Sequence, residues 1–260
     1  TQNWRFGVKD IPMIPIVSPQ NRTSPASVDY LISEFETVLT MLYTITGHMM
    51  SENALCQTID IYNAHNQVMR EFDQIANRHL DLVTPDVRHT VHKSATALVR
   101  ELIQAMNALP EYQWTGKKVI LAGITCEPKA LLDIFQDNHI AVVADDLAQE
   151  SRQYRTDIPQ RGGGGLKRLA LQWNNRHGCS LIHELGKPRG AMLVEMCKET
   201  GAQGVVTCMM KFCDPEEYDQ PYYERVLHQA GIPCVTIDID QQNTSYEQIR
   251  TRIESFSEMI

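Results

Sequence analysis

The sequence predicts an α/β fold in which a helical region precedes a four-stranded, mostly parallel sheet, and three observations carry that reading. Residues 26–115 hold apolar side chains at helical spacing. From 116 onward, short continuous apolar runs replace the stripes, as in strands buried on both faces. Amphipathic segments separate those runs, so each strand is reached by a crossover and pairs parallel to its neighbours. Together these features describe a Rossmann/flavodoxin-like domain over 116–260, behind an opening segment (1–25) and a helical domain (26–115).

The elements follow in order. Asp29 to Thr46 carries Tyr30, Leu31, Phe35, Val38, Leu39 and Leu42 on one helical stripe. Ser51-Glu52-Asn53 opens a second helix through Ile59, Ile61, Tyr62, Val68, Met69 and Phe72. Thr84-Pro85 supplies a cap and a first-turn proline for a third helix, expected from about Asp86 toward Asn107. Lys118–Ile124 is the first strand, Lys129–Gln136 a helix, and Ile140–Ala144 the second strand, ending on Asp145-Asp146. Helices are predicted over Gly165–Asn174 and Arg189–Thr200, with a third strand over Gly204–Met210. Pro221–Ala230 reads as a helix closed by Gly231, and Pro233–Asp240 as the fourth strand. Thr244-Ser-Tyr-Glu247 has the spacing of a capping box for a last helix.

Composition narrows the function. The net charge of −8 and the lack of a basic run argue against a nucleic-acid partner. No apolar run is long enough to span a bilayer, so no membrane role is expected. Seven scattered cysteines, with no CxxC pair, fit a reducing cytoplasm better than a disulfide framework or a zinc ribbon.

In parallel sheets, chemistry gathers at the carboxyl ends of strands. Four polar clusters fall there: Thr125-Cys126-Glu127, Asp145 to Arg155, Lys211 to Tyr218, and Asp238 to Asn243. Asp145, Asp146, Glu150 and Arg152 are the candidates for acid–base or ligand-binding work, against the alternative of a solvated loop. Cys213 sits between a strand end and the acidic helix start Asp214-Pro215-Glu216, where a thiolate is favoured. It is read as a metal ligand or reactive thiol, against a small buried hydrophobe. Cys126 holds the matching place after the first strand; Cys197, Cys208 and Cys234 read as core. The run Arg161 to Arg168 has four glycines but matches no phosphate-loop pattern, and reads as a hinge before a helix. The histidines show no HxxxH or HExxH pairing, and there is no GxSxG elbow.

The segments VVADDLAQESRQYRTD, MMKFCDPEEYD and GIPCVTIDIDQQNTSYEQIRTRIESFSEMI resemble the second (beta, D-type) subunit of (R)-2-hydroxyacyl-CoA dehydratases. These are the 2-hydroxyglutaryl-, 2-hydroxyisocaproyl- and phenyllactyl-CoA enzymes of amino-acid-fermenting anaerobes; benzoyl-CoA reductase subunits are more distant relatives. The opening TQNWRFG and PIVSPQNR also resemble them, so the likeness runs through the whole chain. The resemblance implies a cytoplasmic lyase component that works in a heterodimer and is inactive alone. Each homologous subunit of the family holds a [4Fe–4S] cluster, and the cysteine of the KFCDPEE element, here Cys213, is one ligand. An ATP-dependent activator protein injects one electron, and the ketyl radical anion of the acyl-CoA thioester expels the hydroxyl group and is then deprotonated, giving the (E)-2-enoyl-CoA. The partner subunit's cluster is where the substrate binds. The resemblance also implies an additional amino-terminal domain with the other cluster ligands, which are expected to be absent from this chain. The alternatives are a cluster-free scaffold or assembly subunit and a benzoyl-CoA reductase-like subunit.

Overall fold

The computed structural model describes residues 4, 7, 8, 10–240, 242 and 245–260. Helix α1 (Ser27–Thr46) ends where Gly47 turns left-handed, its N–H donating to the Tyr43 carbonyl at 2.8 Å. Of the stripe seen in the sequence only Leu31 is fully buried; Tyr30 and Leu42 lie exposed. Helix α2 (Glu52–Ala76) starts at Ser51, whose hydroxyl accepts the Ala54 N–H at 3.1 Å. It buries Val68, Met69, Phe72 and Ile75, whereas Ile61 and Tyr62 from the same stripe face solvent.

The expected third helix is two helices, α3 (Pro85–His92) and α4 (Thr96–Asn107). The break has a local cause. The Lys93 and Ser94 N–H groups bond three residues back, to Thr90 and Val91, and the Ser94 hydroxyl takes the Thr90 carbonyl. That hydroxyl competes with the helical bond, and the chain restarts after an extended Ala95. Val91, Val99, Ile103 and Met106 still share one core with Met69 and Phe72 of α2, so the break bends the path without opening the packing.

Strands β1 (Lys117–Gly123), β2 (Ile140–Leu147), β3 (Gly204–Met210) and β4 (Cys234–Ile239) form one sheet in the order β2-β1-β3-β4. Every pairing is parallel. Alternate side chains leave β1 on opposite faces: Val119 and Leu121 pack with Leu131 and Phe135 of α5 (Lys129–Asp137) and with Ile253 and Phe256 of α9 (Glu247–Met259). Ile120 and Ala122 pack with Leu193 of α7 (Arg189–Thr200) and with Tyr223 and Leu227 of α8 (Asp214–Gln229). Helices therefore cover both faces, which explains the unbroken apolar runs of β1 and β3. Helix α6 (Gly165–Asn175) turns away from the sheet and packs against α1 and α2.

Several boundaries differ from expectation. Helix α8 runs unbroken from Asp214, the acidic helix start read in the sequence, through Pro221, where a separate helix was expected to begin. Asp214, Glu216 and Glu217 in its first turn favour the helix dipole, and buried Glu216 and Asp219 anchor the turns before the proline. Helix α9 begins at Glu247, so Glu247 is its first residue and not the third of a capping box; Thr244 lies outside the described residues. β2 also runs past Ala144 and takes in Asp145 and Asp146 as strand residues.

At the end of β1 the backbone needs glycine. Gly123 has φ +138°, and a Cβ there would stand 2.2 Å from the Cys208 carbonyl oxygen on β3. The two central strands thus close up where the rim begins. Gly123→Ala is expected to destabilise the chain by more than about 1 kcal/mol, read as a lower urea midpoint; an unchanged midpoint would show that the strands can part freely here.

Candidate functional site

The strand order reverses between β1 and β3, and the loops at that switch point form the rim. At its centre is Asp146, fully buried at the end of β2. Its carboxylate accepts two bonds from Arg152 (Nε and Nη2, both 2.9 Å), one from Arg155 Nη1 (2.7 Å) and one from Arg189 Nε (2.8 Å). Burial alone would push this carboxyl up; the Arg152 and Arg189 guanidiniums outweigh it and hold the group well below the usual carboxylate range. Arg189 opens α7, lies over the Tyr223 ring at 4.8 Å, and donates from Nη1 to Glu216 Oε2 at 2.7 Å. Glu216, fully buried in the first turn of α8, also accepts the Ser180 hydroxyl at 2.7 Å and lies 3.5 Å from Arg152. Asp219, one turn on, pairs with Lys187 at 2.8 Å. One connected set of charges therefore ties the β2 rim to the starts of α7 and α8.

That set fixes Cys213. The residue occupies the N-cap position of α8: its N–H donates to Met210 of β3 (3.1 Å), and its carbonyl accepts from Glu216 (3.0 Å) and Glu217 (3.1 Å). Its half-buried thiol makes no capping bond, and Phe212 before it has φ +65° with its side chain almost wholly exposed. A thiol left without a capping bond at a helix amino terminus is placed to act as a metal ligand. Cys126 is different. It is buried beside Cys208, and that neighbour together with burial raises it well above the ordinary value, as expected of a structural cysteine. Burial likewise pushes Cys197 and Cys234 up to about 11. Among the described residues no group of three or more His, Cys, Asp or Glu side chains is arranged to hold a metal ion. Cys213 fits as one ligand of a cluster, and these residues do not complete a set.

The other sequence candidates divide between two networks. Asp145 turns inward, accepting the Leu147 and Ser151 N–H groups at 3.0 Å each; burial raises its pKa. Glu150 turns toward α3, where His89 Nδ1 and His92 Nδ1 meet its two oxygens. His92 Nε2 in turn bonds Asp73 at 2.9 Å, and Tyr154 donates to Asp73 at 2.8 Å. Glu127, from the β1 cluster, joins through His89 and Lys93. Burial would lower His92, but its bonds to Asp73 and Glu150 prevail and pull it to about 9. Lys211 pairs with Asp240 in the open, while Gln241 and Asn243 lie outside the described residues.

The glycine run is no phosphate loop. Gly165 is pressed against Leu55, and its N–H, at the start of α6, already donates to the Glu52 carboxylate. Sequence reasoning passed over Arg189, Glu216 and the pair His89 and His92. Two signals were present: an arginine in a helix's first turn opposes the dipole and asks for a carboxylate, and HxxH places both imidazoles on one helical face.

With this geometry in view, comparison with known proteins is decisive. A family profile described as "2-hydroxyglutaryl-CoA dehydratase, D-component" matches residues 1–260. The chain belongs to that family. It is 44% identical to the lactoyl-CoA dehydratase subunit beta of Anaerotignum propionicum, over all of this chain and 71% of that protein. It is 40% identical to the (R)-phenyllactyl-CoA dehydratase beta subunit of Clostridium sporogenes, again over all of this chain and 71% of that protein. The (R)-2-hydroxyglutaryl-CoA dehydratase subunit beta of Acidaminococcus fermentans is 33% identical over all of this chain and 72% of its own length. The matched span takes in both the Asp146–Arg152 segment and the Cys213–Asp219 segment. In the described residues no helix is long and apolar enough to cross a membrane.

Two outcomes test the networks. Arg189→Met leaves buried Asp146 and Glu216 short of a partner and is expected to cost about 3–5 kcal/mol in urea unfolding; a loss under about 1 kcal/mol would mean the pairs are peripheral. His92 has a raised folded pKa, so its contribution is complete below the ordinary imidazole value of about 6.5. It is lost as pH rises through about 9. Stability is expected to fall between these limits and to fall less in His92→Phe; an identical slope in that variant would place the titration elsewhere.

Proposed function

We propose that the chain is the beta-type subunit of an (R)-2-hydroxyacyl-CoA dehydratase, the component that, with a homologous partner subunit, removes water from a 2-hydroxyacyl-CoA to give the 2-enoyl-CoA. The observation that carries this reading is Cys213: a half-buried thiol with no capping bond, set at a helix amino terminus on the switch-point rim of a D-component chain. The three dehydratase beta subunits it resembles support the reaction class.

In this reading Cys213 is one thiolate ligand of a [4Fe–4S] cluster, with the remaining ligands outside the described residues. Iron–sulfur clusters are held by thiolates, and burial, charge and hydrogen bonding around them set the potential. When bound, the cluster would supply one-electron chemistry as the second cluster of the pair, the substrate-binding one being the partner subunit's, with the electron delivered by an ATP-dependent activator protein. The chain's own part is positional. Arg189 and Glu216 lock the first turn of α8 so that Cys213 is presented at a fixed place, while the buried networks keep bulk water from the rim behind it. Asp146 and Arg152 occupy each other's bonding capacity and act as supports; Glu150 serves the same role toward α3.

The test is iron and acid-labile sulfide per heterodimer after anaerobic purification, with turnover of an (R)-2-hydroxyacyl-CoA in the presence of activator, ATP and reductant. Cys213→Ala is expected to lower iron and abolish turnover while circular dichroism stays unchanged. Full iron with full turnover in that variant would overturn the ligand assignment, and turnover without iron on this subunit would leave a scaffold role.

A further inference from the structure

A cavity of about 240 Å³ opens beside the charge network, at the ends of β1 and β2, where Ile124 and Ala148 form part of its floor. Nothing in the dehydratase reading uses it. Its wall carries four arginines, Arg22, Arg152, Arg155 and Arg176. Arg152 and Arg155 are committed to Asp146. Arg22 and Arg176 are not so satisfied. Arg22 is 7% exposed, stacks over Trp173 at 5.5 Å, and reaches Glu184 only at 3.5 Å; among the described residues its Nε and Nη1 have no hydrogen-bond partner. Arg176 has no carboxylate partner among the described residues, and its Nε is buried and unpaired.

The charge around the cavity does not balance. Arg22, Arg152, Arg155, Arg176, Lys187 and Arg189 stand against Asp146, Glu184, Glu216 and Asp219, which leaves two positive charges in a chain whose net charge is −8. Buried guanidinium charge in excess of its carboxylate partners is costly, and an oxyanion in the cavity offsets it. Burial lowers the pKa of both Arg22 and Arg176, with Arg155 adding repulsion to each. Another part of the wall is apolar, with Trp173, Ile124, Leu181 and Ile182. A bare phosphate would leave that wall without contact, and the volume falls below the roughly 300–1,000 Å³ of pockets for drug-sized ligands.

We infer that this cavity is a binding site for a short-chain organic carboxylate, its carboxylate held by Arg22 and Arg176 and its small apolar body against Trp173 and Ile182. The site is separate from Cys213, and the inference stands or falls independently of the dehydratase reading.

Cys179 lines the same cavity and is half-buried, which gives a reporter in the unmodified chain. Alkylation of Cys179 by N-ethylmaleimide, followed by peptide mass spectrometry with Cys56 as internal control, is measured at matched ionic strength with isobutyrate, isobutyramide, inorganic phosphate or chloride. Isobutyrate is expected to slow Cys179 selectively, and isobutyramide and chloride to leave it unchanged. Calorimetric titration of isobutyrate is expected to give a Kd about tenfold or more weaker in Arg176→Gln, the loss of one charge-assisted bond. Protection by isobutyramide equal to that by isobutyrate, no protection by any probe, or protection by phosphate alone would each overturn the assignment. So would an unchanged Kd in a folded Arg176→Gln chain. If that variant fails to fold, the alkylation of the unmodified chain decides.

Discussion

Everything at the rim depends on one buried carboxylate. Asp146 has no access to water, and a charge in that position persists only when fully paired. Three arginines provide the pairing, and they come from two separate places: Arg152 and Arg155 just beyond β2, and Arg189 from the first turn of α7. Because Arg189 also holds Glu216, satisfying Asp146 fixes the entry of α8. Replacing such a network by apolar groups can preserve or even raise stability in some proteins, so its value here lies in placement. It sets where the Cys213 backbone stands relative to the sheet.

The same carboxylate explains the cavity beside it. Arg152 and Arg155 are turned inward by Asp146, and both residues line the cavity. Arg22 and Arg176 approach from the other side, brought by the chain near Asn21, which bridges to His183, and by the end of α6. A surplus of guanidinium groups thus collects on one side of the rim, while the Glu150–His92–Asp73 chain on the other side links β2 to α2 and α3.

The sheet was legible because its signal is local: runs such as Val119–Ala122 and Val205–Cys208 can hardly be anything but strands buried on both faces. Caps at Ser51 and Thr84 were legible for the same reason. The break after His92 was not, since it turns on one serine hydroxyl taking a carbonyl that a helix also wants. The continuity of α8 was not legible either, since Asp214 and Pro221 read as two separate helix starts, yet buried Glu216, Asp219 and Tyr223 carry one helix through the proline. At the site, composition and position picked out Cys213, Asp146, Arg152 and Glu150. Their partners Arg189, Glu216, His89 and His92 escaped because each contact joins residues far apart in the chain.

The central pairing of the sheet carries a consequence for how the molecule is made. β1 and β3 are neighbours in register, Val119 beside Gly204, although the whole of β2, α6 and α7 lies between them in the chain. Closing so long an interval is entropically expensive and slow compared with joining α2 to α4, whose contacts are nearer in sequence. During synthesis β1 and β2 emerge as a two-stranded parallel unit with one open side and an Asp146 whose Arg189 partner has not yet been made. Until β3 docks, the nascent chain therefore presents an unpaired edge and an incompletely matched charge at the same end of the sheet, a state suited to capture by chaperones or by a neighbouring chain.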